Sequence, residues 1–436
     1  MATQHELVDE TESSVTMARA SGERQFEEGE KHAKACPDDE FPEGGWRAWS
    51  VAIGNAGVMF CTLGHVNTWG VYQAYYAVNQ LHDHSPSAIA WIGSLQSFSI
   101  FAAGLVGGPL FDRYGAKVII PSAIVYLFSI FMTSLCKEYW QFMLAQGVLG
   151  GLANGFTMAP SMAATPQYFK EKRGAAMGVA IAGSSLGGVI LPIAVNRFLT
   201  RTNLGFGWSV RIIAFLIMGV LLPSCLAIKA RLPPRKSHFL LPVAFKEPAY
   251  ALLVACMFFL FLSMFPLLFL IPSYALSQGM STSLAFYTQS ILNAASFPGR
   301  VVPAILSDKL GRQNVLAAAG ISSGILALCW QRVQGNAGIL VFAAVYGFCS
   351  GAIISGTSVS LASVPKDPKN IGTYMGMGMG VGSLAALIGP PISGALVDRY
   401  HGFSQMADFC GVICLFGGGL ALVVKVVSGN SLLSKS

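Results

Sequence analysis

Charged residues are scarce in this 436-residue chain: Asp, Glu, Lys and Arg make up 11% of it, against 53% for hydrophobic residues. A soluble globular domain carries about 25% charged residues, so water cannot surround most of this surface. No cleavable signal peptide is expected, because residues 1–41 lack the short apolar stretch that such a peptide needs. The composition therefore predicts a membrane protein.

The residue patterns of several chemistries are missing. The sequence has no G-x-x-x-x-G-K-[ST] motif and no soluble region long enough for a nucleotide-binding domain, which excludes ATP-driven pumping. Its nine cysteines are scattered, and Cys410 and Cys414 have no histidine at metal-ligand spacing. No paired carboxylates lie in the apolar segments. We therefore expect no enzyme activity, no metal site, no disulfide framework and no cofactor.

The few charges are unevenly distributed. Residues 1–43 hold 12 acidic and 4 basic residues, a net charge of −8, which leaves 9 acidic and 24 basic residues, a net charge of +15, for the rest. Such a composition predicts a disordered acidic tail over residues 1–43.

Long charge-free runs dominate the rest of the chain. A spanning helix needs about 20 mostly apolar residues, and the 52-residue run 248–299 is long enough for two, divided by the polar stretch 277–283. The sequence thus predicts an all-α fold of twelve transmembrane helices. The predicted divisions are the tail 1–43, a six-helix bundle over 44–230, a basic linker over 231–247, a second six-helix bundle over 248–428 and a tail over 429–436.

Loop charge predicts the orientation. With a cytosolic N-terminus, the cytosolic loops and ends collect 17 Lys and Arg residues and the opposite loops 6. Cytosolic loops of membrane proteins are enriched in Lys and Arg, so both termini are predicted to be cytosolic. The cell membrane is the expected location, with the vacuolar membrane as the alternative.

Two short motifs recur at a spacing of 196 residues. The first reads Gly108-Pro-Leu-Phe-Asp112-Arg113-Tyr-Gly115-Ala-Lys117, and the second Ala304-Ile-Leu-Ser-Asp308-Lys309-Leu-Gly311-Arg312. The repeat predicts two pseudo-symmetric halves. An Asp at a helix end can accept hydrogen bonds from a neighbouring helix N-terminus in one conformation and lose them in another. We expect these residues to form a conformational latch; a turn that only anchors topology is the alternative. The latch residues are Asp112, Arg113, Asp308, Lys309 and Arg312.

These loops resemble the G-x-x-x-D-R-x-G-x-[RK] signature of the major facilitator superfamily. Two further stretches, 43–49 (Glu-Gly-Gly-Trp-Arg-Ala-Trp) and 168–184, resemble signatures of its monocarboxylate porter family, and of the fungal branch in particular. The resemblance covers roughly residues 42–430. It implies a transporter of organic acids, vitamins or secondary metabolites.

Arg300 lies eight residues before Asp308, which places it about 12 Å deeper along a helix. The family resemblance implies that this arginine binds a substrate anion; a structural pair or a snorkelling side chain is the alternative. The chain departs from the mammalian-type carriers at two positions, with Ser296 in place of an Asp and Asn67 in place of a Lys, so two residues of their proton relay are missing here. His65 is the one residue deep in a predicted helix that titrates near neutral pH, and either packing or proton or substrate handling would explain it.

Other polar residues at a plausible depth complete the candidate substrate site. With the residues above, the set is Arg300, His65, Asn67, Gln96, Asn154, Asn293, Tyr346 and Tyr374. Gly178, Gly183 and Gly187 follow one another along the fifth predicted helix and predict a close helix crossing, either static or sliding during transport.

The sequence as a whole predicts a secondary active or facilitative transporter that works by alternating access on an organic acid or secondary metabolite, with efflux favoured. A proton-coupled monocarboxylate or vitamin uptake carrier is the alternative, and a membrane ligand sensor that moves nothing is the alternative of another class. The expected partners are a small organic substrate, the lipid bilayer and, left open, a coupling proton. No nucleic acid is expected.

Overall fold

A computed structural model describes residues 41–233 and 240–428. Most of the predicted acidic tail, part of the predicted linker and the predicted C-terminal tail lie outside these residues. Within them the chain forms helices and no strand. The bundle begins at Glu43, and its twelve helical elements are named α1 to α12 in chain order.

Ten of the twelve elements are single helices. Their bounds are α2 (Pro86–Tyr114), α3 (Ile119–Thr133), α5 (Arg173–Arg201), α6 (Gly205–Ala227), α7 (Pro248–Ser277), α8 (Thr282–Leu310), α9 (Arg312–Cys329), α10 (Gly335–Ser363), α11 (Ile371–Tyr400) and α12 (Ser404–Val427). A 30-residue helix is about 45 Å long, more than the roughly 30 Å hydrocarbon core of a bilayer. Among the described residues, eight helical stretches are long and apolar enough to cross a membrane, and one of them, Ala88–Thr133, runs from α2 through α3.

The other two elements are interrupted. Element α1 consists of Gly45–Cys61, Leu63–Val66 and Trp69–Val78. Element α4 consists of Tyr139–Phe142, a π-helical segment Met143–Gly150, and Gly151–Ala164. The sequence predicted an unbroken span at both places. Apolar content alone does not report a local change in hydrogen-bond register, which explains the difference.

The repeated motifs end two equivalent helices. Gly115 follows α2 with φ 66°, and Gly311 follows α8 with φ 94°. Residues with a side chain rarely adopt these values, so glycine at this position lets the chain turn sharply from one helix into the next. Short connections then lead into α3 and α9. The predicted linker, residues 231–247, falls between α6 and α7, and the predicted domain boundaries stay predictions.

The two halves, α1–α6 and α7–α12, meet along two crossings: α2 packs against α11, and α5 packs against α8. Small residues make both crossings close. A Cβ atom on Gly178 of α5 would lie 2.6 Å from the Cβ of Ala304 on α8. A Cβ atom on Gly108 of α2 would overlap the carbonyl of Gly372 on α11.

The three predicted crossing glycines serve two different interfaces. Gly178 faces α8 of the other half, whereas Gly183 and Gly187 face α1 of their own half. A Cβ atom on Gly187 would lie 2.8 Å from the Cα of Gly64. Element α5 therefore packs its first turns against the opposite half and its middle against α1.

We expect Gly183→Ala to destabilise the bundle, because the added methyl group would overlap the carbonyl oxygen of Ala56 on α1. Overpacking of this kind costs about 1–3 kcal/mol. Thermal unfolding of the detergent-purified protein measures the effect. Gly219→Ala on α6 is the matched control, since nothing lies within 4 Å of the added atom. Equal melting temperatures for the two variants would contradict this crossing.

Candidate substrate cavity and conformational latches

A central cavity of about 100 Å³ lies between the two halves. Most of its wall is apolar, and flexible methionines alternate with aromatic rings. The apolar lining includes Met59, Met158, Met162, Met257, Met379, Phe101, Phe261, Phe265 and Phe269. Polarizable, unbranched methionine side chains adapt to ligands of different shape. Such a wall suits a ligand with a bulky apolar body.

Arg300 brings a positive charge to this apolar wall. Its side chain is 6% exposed, and its Nη1 atom donates hydrogen bonds to the carbonyl oxygen of Ile181, at 3.1 Å, and to the hydroxyl of Ser184. Its Nε atom has no hydrogen-bond partner. No Asp or Glu of the described residues lines the cavity. A buried charge without a counter-charge is costly in a membrane, so the site favours an anion that approaches the guanidinium.

Two asparagines border the same cavity near the crossing of α1, α5 and α8. Asn293 donates to the carbonyl oxygens of Gly188, at 3.3 Å, and Gln289, at 3.1 Å. Asn67 lies at the second interruption of α1. Ser296 also lines the cavity, one turn from Arg300. The structure therefore brings together three of the predicted site residues: Arg300, Asn67 and Asn293.

The other predicted site residues lie outside this cavity. His65 and Gln96 line a second, smaller cavity within the first half. Asn154 is fully buried, and neither its Oδ1 nor its Nδ2 has a hydrogen-bond partner. Tyr346 is buried with an unpartnered hydroxyl and stacks on Phe342.

Tyr374 lies at the start of α11 and not beside the substrate cavity. Its hydroxyl donates to Glu247 Oε1 at 2.9 Å, and its carbonyl accepts from the Tyr250 hydroxyl at 2.8 Å. These contacts join the beginnings of α7 and α11. Sequence depth could not distinguish such a structural tyrosine from a cavity residue.

The predicted latch aspartates both bind helix N-termini of the opposite half. Asp112 accepts from the amides of Gly372 (3.0 Å) and Thr373 (2.6 Å) and from the Thr373 hydroxyl (2.7 Å). Asp308 accepts from the amides of Gly174 (2.8 Å) and Ala175 (2.9 Å). The first amides of a helix have no partner within the helix, and a carboxylate there also interacts favourably with the helix dipole. We call this end of the bundle the latch face.

The basic residues of the two motifs have different surroundings. Arg312 donates to the carbonyl oxygen of Lys170 at 3.0 Å, across the interface between the halves. Arg113 lies 6.0 Å from the ring centre of Tyr114, and both Arg113 and Lys309 are exposed. Arg312 therefore adds a second contact between the halves beside that of Asp308, which the structure does not show for Arg113 or Lys309.

Two further latch-face residues were missed by the sequence analysis. Arg173 at the start of α5 donates to the carbonyl oxygens of Phe169, at 2.9 Å, and Ala362 of α10, at 2.8 Å. It had been counted only as a loop charge. Arg173 is buried, with 7% of its surface exposed, whereas its neighbours Lys170 and Lys172 are exposed.

Glu43 is the second missed residue. Its carboxylate accepts from the amides of Lys170 (2.6 Å), Glu171 (2.9 Å) and Lys172 (3.2 Å), so the chain before α1 is held to the loop before α5. Its position directly before two glycines is the sequence signal that could have revealed a tight backbone contact, and in the structure its φ is 51°.

Two six-helix halves, an apolar cavity between them and close crossings at small residues define a membrane transporter built from two bundles. The major facilitator superfamily model matches residues 56–376 and 304–431, so the chain belongs to the Major Facilitator Superfamily. It is a multi-pass membrane transporter of small molecules and not an enzyme, as the sequence predicted. The all-α fold of two six-helix halves is likewise confirmed.

Similar proteins are fungal. The chain is 52% identical over 398 residues to the aspyridones efflux protein apdF of Emericella nidulans, covering 91% of this chain and 82% of that protein. It is 38% identical to the agnestins efflux protein AgnL12 of Paecilomyces divaricatus, covering 92% of each. It is 39% identical to the MFS-type transporter pynF of Aspergillus niger, covering 88% and 89%.

A solved structure shows the same fold. The human organic anion transporter MFSD10 (TETRAN) superposes with a TM-score of 0.70 at 15% identity, covering 88% of this chain and all of that one. At this identity the likeness concerns the fold alone.

We expect Asp112→Asn to weaken the latch, because a neutral amide accepts hydrogen bonds from backbone amides less strongly than a carboxylate does. A hydrogen bond to a charged group is worth about 1.5–3 kcal/mol, so losing the charge should change turnover several-fold or more while substrate affinity changes little. Initial transport rates over a range of substrate concentrations separate the maximal rate from the substrate affinity. Asp83→Asn, on an exposed loop, is the control. A changed affinity at an unchanged maximal rate would argue against the latch.

Proposed function

We propose that this chain exports an amphipathic secondary metabolite that carries an anionic group. The observation that carries the proposal is Arg300, a buried cation with a free Nε atom and no acidic residue among the described lining of an otherwise apolar cavity. The apolar wall would hold the body of the metabolite, and the guanidinium would pair with its acidic group. The names of the similar fungal efflux proteins support the export direction over uptake of a monocarboxylate or vitamin.

The proposal extends to family and location. We place the chain in the monocarboxylate porter-like branch, on the strength of the motifs at 43–49 and 168–184. We further propose that the protein lies in the cell membrane, with the latch face toward the cytosol. The excess of Lys and Arg in the loops of that face supports this orientation. In this orientation, a protein with a closed latch face can open its cavity only toward the outside of the cell. An exported substrate is released from that state.

We expect Arg300→Ala to abolish export of an anionic metabolite, because the substrate anion would lose its only buried cation in the described lining. A host strain from which the gene has been deleted is complemented with the wild-type gene or with the variant. Mass spectrometry then compares the amount of each metabolite in the cells with the amount in the medium. Wild type should restore the acidic product to the medium, and Arg300→Ala should restore less than about a tenth of it, since a charged hydrogen bond is worth about 1.5–3 kcal/mol.

Arg332→Ala, at an exposed position before α10, is the matched control, and membrane levels of all variants are compared by immunoblot. Wild-type export by Arg300→Ala at an equal membrane level would remove Arg300 from the site. A host in which deletion leaves every metabolite distribution unchanged would contradict export itself.

Orientation is tested with engineered glycosylation acceptors. An acceptor inserted in the exposed loop at 82–84 should be modified, because we place that loop outside the cytosol. An acceptor inserted at 234–239, in the predicted linker, should remain unmodified. A gel-mobility shift before and after glycosidase treatment measures both. The reverse pattern would invert the proposed topology.

A further inference from the structure

A row of polar side chains runs along the face of α8 that lines the substrate cavity. Gln289, Asn293, Ser296 and Arg300 follow one another at intervals of four, three and four residues, and all of them line the cavity. This spacing places them on one face of the helix. From Gln289 to Arg300 the row extends over about 16 Å of helix. The cavity is therefore polar along one helix, within a wall that is otherwise mostly apolar.

Two carboxamide side chains, one from each half, converge beside Gly188 of α5. A Cβ atom on Gly188 would lie 2.7 Å from Nδ2 of Asn67 in α1 and 2.9 Å from Cγ of Asn293 in α8. Any larger residue would overlap both amide groups. Glycine at this position therefore allows the two side chains to meet at one end of the cavity.

The hydrogen bonds of Asn293 fix the orientation of its amide. Its Nδ2 atom donates to the carbonyl oxygens of Gly188, at 3.3 Å, and Gln289, at 3.1 Å. A carbonyl oxygen can only accept, so the atom near both of them has to be the nitrogen. The Oδ1 atom accepts no hydrogen bond from the described residues. Asn293 thus offers an acceptor to the cavity, while both of its N–H groups are in use.

Asn67 and Gln289 bring donors as well as acceptors. Both are partly exposed and line the cavity, and their side chains form no hydrogen bond with any described residue. The lining hydroxyls of α10 differ, because those of Ser350, Thr357 and Ser358 donate to carbonyl oxygens of their own helix. A carboxamide has two N–H donors and one acceptor oxygen. The unused donors of this part of the cavity therefore come from Asn67 and Gln289.

The carboxamides lie at a defined separation from the guanidinium of Arg300. Arg300 donates to Ser184 of α5, and Asn293 donates to Gly188, one turn further along the same helix. These contacts are four residues apart on α5 and seven apart on α8, which corresponds to about 6–10 Å along the helices. An anionic group at Arg300 and a second group at the carboxamides can therefore belong to one small molecule, with apolar carbon between them.

We propose that Asn67, Gln289 and Asn293 form a second subsite of the substrate cavity, which binds an uncharged group that both donates and accepts hydrogen bonds, such as a carboxamide or lactam. The inference rests on the proposed function, because it takes Arg300 as the anion site. A charged group would have no counter-charge here, since the described lining holds no charged residue other than Arg300. An ester, which only accepts, would leave Oδ1 of Asn293 without a donor. The substrate class is an amphipathic acid with a neutral amide remote from its acidic group.

Two probe acids test the subsite with the full-length protein in nanodiscs. Decanedioic acid monoamide has a carboxylate at one end and a carboxamide at the other, and undecanoic acid has the same chain length with an apolar end. Equilibrium binding of each radiolabelled acid is measured at neutral pH, and binding to empty nanodiscs is subtracted. The ratio of the two dissociation constants is compared between variants, because a general change in packing would alter both constants alike.

We expect Asn67→Leu to weaken binding of the monoamide at least fivefold relative to undecanoic acid, because the amide of the probe would lose a buried partner. Gln289→Leu should shift the ratio in the same direction. Asn203→Leu, at an exposed position between α5 and α6, is the matched control and should leave the ratio unchanged. Arg300→Ala should weaken binding of both acids without changing the ratio.

Each outcome decides the proposal. An unchanged ratio in both Asn67→Leu and Gln289→Leu would overturn the subsite, and the proposed function would stand if Arg300→Ala still weakens both acids. A ratio that depends on Asn67, with both acids bound equally well by Arg300→Ala and wild type, would contradict the anion site and support the carboxamide subsite. A wild-type protein that binds neither acid would contradict both. If Asn67→Leu does not fold, the ratio in Gln289→Leu decides.

Discussion

Hydrocarbon offers no hydrogen-bond partner, and this constraint governs the rest of the structure. Backbone groups must be satisfied within helices, and each buried polar side chain must find its partner inside the protein. The buried charged side chains meet this constraint in different ways. The latch aspartates accept hydrogen bonds from amides at helix N-termini. Arg173 donates to backbone carbonyl oxygens. Arg300 donates to one carbonyl oxygen and one hydroxyl, and its Nε atom has no partner.

The predicted latch aspartates hold the two halves together through contacts that water could also make. Asp112 and Asp308 accept hydrogen bonds from backbone amides of the other half, and Asp112 also accepts one from the Thr373 hydroxyl. Water can replace these donors when the halves separate, so opening costs less than breaking a contact deep in lipid would. Glycine at the crossings, such as Gly108 and Gly178, keeps the helices close without interlocked side chains. Contacts of this kind suit an interface with two discrete arrangements.

The two halves have the same arrangement of helices, but their polar and charged residues differ. Both carry the aspartate motif and end the preceding helix at a glycine with positive φ. The second half supplies Arg300, and the first half supplies the interrupted α1, the π-helical segment of α4 and the cavity at His65. The substrate cavity lies where the two specialisations meet, with Asn67 of α1 near Asn293 of α8. Divergence between the repeated halves thus places the proposed anion site in the second half and the interrupted helices in the first.

Composition and spacing alone determined the membrane class, the twelve helices and the repeat of two halves, because each depends on the length and period of apolar segments. The same holds for the latch aspartates, whose motif places them at helix ends. Only the tertiary structure decided which polar residues share a cavity. Arg300, Asn67 and Asn293 converge, while His65 and Gln96 face another cavity and Tyr374 binds Glu247. Depth along a helix can be counted from the sequence, but the direction of a side chain depends on helix rotation and on interruptions such as those in α1 and α4, which packing between helices sets.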